Sequence, residues 1–208
     1  TPLYSSAASD VYKRQFYNHP GFIQANADNV KTAFQRLPQD LQKDALLVFT
    51  AHSIPVSMAQ TCRYEEQLQE TARLVAETVG RKQWLMAYQS RSGPAHQPWL
   101  EPDIGGLVEE QVRGGASAFV VAPIGFVSDH MEVLFDLDVE LAERCKKLGC
   151  RLERAATVGV HPEYVHMIRE LILERMNQTP VRRSLGRLGP GNDFCPVDCC
   201  PPSAQVHR

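Results

Sequence analysis

Ala122–Glu140, APIGFVSDHMEVLFDLDVE, decides how the chain is read. The stretch begins as the end of an apolar strand and runs into a helix that carries Glu132, Asp136 and Glu140. Residues four apart stack on one face of an α-helix. Like charges at that spacing destabilise an isolated helix by about 0.2–0.5 kcal/mol per pair, so three in a row need a reason. A solvated acidic face is the plain alternative. Two features oppose it. Val133, Leu134, Phe135, Leu137 and Val139 lie between the acids and predict a largely buried helix. Asp129 and His130 stand at its start, beside a strand end, where open α/β sheets place their ligands. Acids lined up on an apolar helix point to a path for protons or a cation, with Asp129, His130, Asp136 and Glu140 along it.

Outward from that stretch, the same strand-then-helix unit recurs. Pro20–Arg36 reads as a leading helix, with Phe22, Ile23, Ala27, Val30 and Phe34 near one face and Pro38 after its end. Ala45–Thr50, ALLVFT, suits a strand buried on both faces. Thr61–Gly80 is a long helix stopped by Gly80. Gln83–Tyr88 is the second strand, Gln89–Asp103 a Pro- and Gly-bearing loop, and Ile104–Arg113 a third helix. Ala118–Pro123 is the third strand and His130–Leu148 its helix. Arg151–Val158 is a weaker fourth strand, and Pro162–Met176 the last helix, with Pro162 suited to its first turn. Apolar strands alternating with amphipathic helices predict an α/β fold: a parallel sheet of about four strands with helices on both faces. There is no GxGxxG or GxxxxGK[ST], so dinucleotide and P-loop functions lack a motif.

Length and composition bound the rest. The chain has 208 residues, 43% of them hydrophobic, with a formal net charge of −2. That allows one domain with appendages: a leader over 1–15 with no sustained period, the α/β domain over 16–180, and an irregular tail over 181–208. No basic excess marks a nucleic-acid partner. No apolar run approaches the roughly 18 residues of a transmembrane helix, which leaves only peripheral membrane contact. No charged start precedes an apolar core as in a secretory signal. The expectation is a soluble, cytoplasmic protein; its oligomeric state is not legible.

His52 follows the first strand in Ala51-His52-Ser53-Ile54-Pro55. Histidine suits both proton transfer near neutral pH and metal ligation. A residue that merely caps a strand end is the alternative. In a parallel sheet, however, Glu132 leaves the third strand at the same edge. An imidazole and a carboxylate are then expected to face one another across a slot wide enough for a flat ring. Tyr88, Gln89, Ser90 and Arg91 leave the second strand at that edge, followed by Trp99. An aromatic wall with hydrogen-bond donors suits a flat ligand with acidic arms. Taken singly, Trp99 reads equally well as core and Arg91 as solvated.

FTAHSIP (Phe49–Pro55), YQSRSGP (Tyr88–Pro94), WLEP (Trp99–Pro102) and APIGFVSDHMEVLFDLDVE resemble the ferrochelatase family, enzymes that insert ferrous iron into a porphyrin. The resemblance runs from about Phe16 to about Met176 and covers the carboxyl-terminal lobe of a two-lobed enzyme. It implies that His52 is the active-site histidine, with Glu132 across the porphyrin from it. Asp136 and Glu140 match the acidic ladder behind that glutamate, where the family often has Glu in place of Asp136. Gln89, Ser90 and Trp99 match residues around the macrocycle. The implied substrates are Fe²⁺ and a porphyrin, protoporphyrin IX or coproporphyrin III. His52 and Glu132 divide pyrrole protons and metal between them in an order the residues leave open. A chelatase for another metal or ring, and a non-catalytic tetrapyrrole-binding half or subunit, are the competing readings.

The tail carries Cys195, Cys199 and Cys200 within six residues, and clustered thiols in a reducing compartment often bind metal. Some ferrochelatases hold a [2Fe–2S] cluster on carboxyl-terminal cysteines, and this tail is similar to theirs. Such clusters usually take four cysteines. Cys62, Cys145, Cys150 or a residue of the other lobe would supply the fourth, and zinc is the competing metal.

Overall fold

The computed structural model describes residues 15–94, 96–178 and 181–192. Four parallel strands, β1 (Leu46–His52), β2 (Leu85–Gln89), β3 (Ala118–Ala122) and β4 (Arg151–Arg154), form one sheet in the order β2-β1-β3-β4. The chain steps from β1 to β2 in one direction, then crosses back to lay β3 on the other side of β1. That reversal makes the carboxyl edge between β1 and β3 the switch point of the sheet, where ligands of open α/β folds bind. His52 ends β1 opposite Gln89, whereas β3 stops at Ala122 opposite Phe49. The segment after β3 therefore turns across the end of β1.

Side-chain alternation sends the strands into two cores. Leu47, Phe49, Val120 and Ala122 pack against α1 (Pro20–Arg36), α4 (Tyr64–Thr78) and α8 (Pro162–Met176). Val48, Ala87, Phe119 and Val121 pack against α5 (Ile104–Arg113) and the helix after β3. The short α2 (Gln39–Gln42) and α3 (Val56–Ala59) lie in connections. α1, α5 and α8 start on side-chain caps, each satisfying amide donors that a first turn leaves open. His19 Nδ1 accepts from Gly21 N–H at 3.1 Å before α1, and Asp103 accepts from Gly105 and Gly106 N–H at 2.9 and 3.1 Å before α5.

Two expectations need correction. The helix after β3 is not one α-helix: it comprises α6 (Met131–Val133), a π-helical segment (Leu134–Leu141) and α7 (Ala142–Leu148). Nor is it largely buried. Val133, Leu137 and Leu141 enter the core, but Phe135 and Val139 are exposed. In an i→i+5 helix a turn takes roughly 4.4 residues, so fewer of the apolar positions share the inward side. Smaller differences move edges. β1 runs two residues further than ALLVFT, which makes His52 its last residue, and β4 stops at Arg154.

Part of the expected tail is docked. Asn18 is buried, and its Nδ2 donates to the carbonyls of Leu185 and Gly189 at 3.1 and 2.7 Å. Leu185 N–H returns a bond to the Asn18 carbonyl at 2.9 Å. Glu70, 5% exposed, accepts from Nε and Nη2 of Arg73 at 2.8 Å and from the Arg187 N–H at 2.9 Å. Gly186 is left-handed (φ 73°) and lies so close to Glu70 that a Cβ there would meet Oε1 at 1.9 Å. Cys195, Cys199 and Cys200 lie outside the described residues, as does 1–14 of the expected leader.

Candidate active site

Strand alternation puts His52 on the same side of the sheet as Val48 and Gln89, toward the π-helical segment. Its Nε2 lies 3.4 Å from Glu132 Oε1, and the two side chains are 34% and 47% exposed. Its Nδ1 hydrogen-bonds the Ser53 carbonyl. Both ring nitrogens thus face oxygen acceptors, an arrangement complementary to positive charge, whether a proton or a metal ion. The strand end is anchored on every side. Tyr64 OH donates to the His52 carbonyl at 2.9 Å, Ser53 N–H to the Gln89 carbonyl at 2.8 Å, and Ser53 OH to the Leu100 carbonyl at 2.8 Å. Burial pushes the Tyr64 phenol up to about 12, so it remains a donor. The expected pairing of imidazole and acid is present, but the slot between them is not. At 3.4 Å the side chains touch, because α6 starts within reach of the β1 end and nothing packs between them.

Glu132 reaches this position because the segment after β3 lies flat on β1. Gly125 N–H donates to the Thr50 carbonyl at 3.1 Å, and a Cβ at Gly125 would come within 2.5 Å of Ala51 Cβ. Phe126 then stands beside both histidines, 6.5 Å from His52 and edge-on to His130 at 5.4 Å. His130 caps α6, its Nδ1 accepting from Val133 N–H at 3.5 Å.

The acids behind Glu132 are held by two clamps. Asp136 Oδ2 accepts from Ser90 OH and, at 3.2 Å, from Gln89 Nε2, so the end of β2 grips the π-helical segment. Ser90 does this from a left-handed backbone, φ 62°, which is uncommon for a residue with a Cβ and clusters at functional sites. On the other flank, Arg154 at the end of β4 pairs with both oxygens of Asp138, at 2.6 and 3.0 Å, and with Asp129 at 2.9 Å. Desolvation works to lower the Arg154 pKa, but the bonds to Asp138 and the charge of Asp129 outweigh it and raise the value. Asp129 also accepts from Thr157 N–H at 3.2 Å. It is therefore turned toward β4, in a position to brace the start of α6. Asp136, Glu140, Gln89, Ser90, Arg91 and Arg144 line a cavity of about 240 Å³ on the flank of the His52–Glu132 pair.

Of the side chains expected around a flat ligand, Gln89, Ser90 and Arg91 share this cavity. Tyr88 does not. Its neighbour Gln89 faces the site, so alternation turns Tyr88 to the opposite face. There it is buried with Ala51, Ala59, Leu68 and Leu100, and its phenol donates to Glu65 at 3.2 Å. Burial, then the Glu65 charge, raises its pKa. Trp99 is tied to the loop after His52 through Pro55, and Gly93 lies against its indole, where a Cβ would sit 2.4 Å from the ring. The indole N–H is buried with no acceptor among the described residues. Phe126, Arg154, Asp138 and Tyr64 are contributors that the sequence does not single out. Arg154 follows a weak strand and Asp138 looks like one more surface acid. Only Phe126 had a signal, as the aromatic inside the turn that delivers Glu132.

The structure is thus a parallel α/β lobe with an imidazole–carboxylate pair at its switch point, backed by further acids. Two donors meet here; among the described residues no group of three or more His, Cys, Asp or Glu side chains converges as a closed metal site. The ferrochelatase family model matches residues 8–176, and the chain belongs to that family. It is 50% identical to a ferrochelatase of Rhodopirellula baltica over 90% of this chain and 53% of that protein. It is 41% identical to a coproporphyrin III ferrochelatase of Streptomyces coelicolor (92% and 56%) and 45% identical to one of Mycolicibacterium smegmatis (85% and 53%). The chain thus spans about half the length of the curated relatives it matches. The matched region includes part of the expected leader. No helix among the described residues is long and apolar enough to cross a membrane.

Proposed function

We propose that this chain supplies the metal-handling lobe of an enzyme that inserts Fe²⁺ into a porphyrin in haem synthesis. The observation that carries the reading is the His52 Nε2–Glu132 Oε1 pair, 3.4 Å apart at the switch point of the sheet. Insertion requires two inner N–H protons to leave the ring as one dication enters. An imidazole and a carboxylate are competent at both tasks: each accepts a proton, and each is a transient ligand for Fe²⁺. Two ligands hold the ion weakly enough to release it. His52 is fixed by its strand and by Ser53, whereas Glu132 sits half-exposed at a helix start. Admission of a ring between them therefore falls to rotation of Glu132. Asp136 and Glu140 are placed to take protons onward or to deliver the metal along the π-helical segment, with Asp129 and His130 holding its entry. Gln89, Ser90, Arg91 and Trp99 border the ring, whose propionate arms suit Arg91. Exposed Met131 and Phe135 give an apolar surface beside the acid.

Several relatives are named for coproporphyrin III, and we extend that substrate to this chain ahead of protoporphyrin IX. A [2Fe–2S] cluster on Cys195, Cys199 and Cys200 is part of the same reading and rests on sequence alone. Cys145 is 1% exposed in the core and Cys150 is turned against it, which leaves Cys62 or a residue outside this chain as the fourth ligand. Iron and sulfide analysis with visible absorption of the purified protein tests it, zinc being the other outcome. A cytoplasmic location, with any membrane contact peripheral, completes the reading and is tested by cell fractionation.

The second reading is a tetrapyrrole-binding half without catalysis, favoured by the half-length match. Anaerobic incubation with coproporphyrin III and Fe²⁺ separates the two. Haem absorbance marks an enzyme; a shifted porphyrin spectrum without haem marks binding alone. In the complete protein, His52→Ala is expected to abolish insertion while porphyrin still binds. Retained turnover would remove this histidine from the chemistry.

A further inference from the structure

Two thiols meet at the far end of the helix that carries the acids. α7 ends in a Schellman motif. Gly149 is left-handed (φ 72°), its N–H donates to the Lys146 carbonyl at 3.3 Å, and Cys150 N–H donates to the Cys145 carbonyl at 3.1 Å. This motif brings the side chains of its first and last residues together. In most helices that contact is between two hydrophobes; here it is between Cys145 and Cys150. Cys150 Sγ lies 3.6 Å from the Cys145 carbonyl oxygen, close enough for its thiol to act on that of Cys145. A disulfide needs Cα atoms roughly 4.4–6.8 Å apart, and a direct backbone bond between the two residues favours such closeness.

The two sulfurs are not equivalent. Cys145 is packed with Val133, Leu137 and Leu141, whereas Cys150 is half-buried at the turn. Burial, then the neighbouring Cys150, pushes the Cys145 thiol up to about 12. A protonated, enclosed thiol is a poor first nucleophile but is well placed as a resolving partner.

We propose that Cys145 and Cys150 form a redox-active dithiol that a hydroperoxide converts to a disulfide. The Cys150 thiolate attacks the peroxide, the O–O bond breaks, and Cys150 is left as a sulfenic acid while water or an alcohol departs. The Cys145 sulfur then attacks the Cys150 sulfur, the S–S bond forms, and the sulfenic oxygen leaves as water with the Cys145 proton. Two thiols lose two electrons in all, and one peroxide gains them. The buried partner thereby diverts the outer thiol from irreversible sulfinic and sulfonic acids.

Brief treatment of the natural chain with hydrogen peroxide, then alkylation and tryptic mass mapping, tests this directly. Cleavage after Arg144, Lys146, Lys147 and Arg151 leaves Cys145–Lys146 and Leu148–Arg151 as separate peptides. They are expected to appear joined, lighter by two hydrogens than their sum, and to separate on reduction by dithiothreitol. In Cys145→Ala the Cys150 peptide is expected instead as sulfinic acid. The proposal is overturned if peroxide leaves Cys145 fully alkylatable in the natural chain while Cys150 is oxidised alone, or if Cys150 is found joined to another cysteine.

Discussion

Arg154 is the residue on which the geometry of the site most depends without touching it. It is nearly buried and holds Asp129 before α6 and Asp138 inside the π-helical segment, so it fixes both ends of the stretch that presents Glu132. Arg154→Met is expected to cost about 1–3 kcal/mol in denaturant unfolding, as charged hydrogen bonds to a part-buried group are lost. In the complete enzyme it should lower kcat with KM little changed, and Arg154→Lys should restore part of it. An unchanged kcat in a folded variant would deny it a positioning role. Gly125 acts by its lack of a side chain. Gly125→Ala sets a Cβ against Ala51 at 2.5 Å, and the strain is expected to cost about 1–3 kcal/mol, read as a shift in the urea midpoint. His52 and Glu132 were legible because each follows a strand at the same edge and belongs to a distinctive motif. Arg154 was not, since its partners lie 16 and 25 positions away and nothing local marks them. Tyr88 was misread because adjacent strand residues cannot both face one site.

At the scale of elements, the apolar runs and their turns were enough for the strands and the sheet. The helix type after β3 was not: α and π turns draw on the same apolar residues, and the choice is made by tertiary clamps such as Ser90–Asp136 and Arg154–Asp138. The docked 181–192 segment was equally hidden, because Asn18 and Glu70 meet it only in three dimensions. Its attachment is expected to depend on pH. The Arg73 hydrogen bonds hold the Glu70 carboxyl below the usual glutamate value against desolvation, and the Arg187 N–H adds to this. A folded pKa below the unfolded one favours the charged form in the folded state. The stabilisation is whole above the ordinary carboxylate range and is lost as pH falls through the lowered value. Hydrogen exchange should therefore show the Arg187 amide losing protection on acidification ahead of the sheet. Glu70→Gln should weaken that protection at neutral pH and flatten its pH dependence. Protection independent of pH in the natural chain would mean that other contacts hold the segment.

For the molecule as a whole, the telling feature is apolar surface beside charged chemistry. Met131 is 81% and Phe135 51% exposed, next to Glu132 and Asp136. An isolated chain with this surface is expected to bind a hydrophobic dye, and Met131→Asp with Phe135→Ser should cut that fluorescence severalfold without altering the unfolding midpoint. Undiminished fluorescence would locate the sticky surface elsewhere.

Ser90 is where robustness and purpose part company. Its left-handed backbone would suit glycine better, yet a glycine would lack the hydroxyl that binds Asp136. A screen that rewarded heat tolerance alone should therefore enrich Ser90→Gly, and the survivors would be sturdier proteins with a looser acid behind the His52–Glu132 pair.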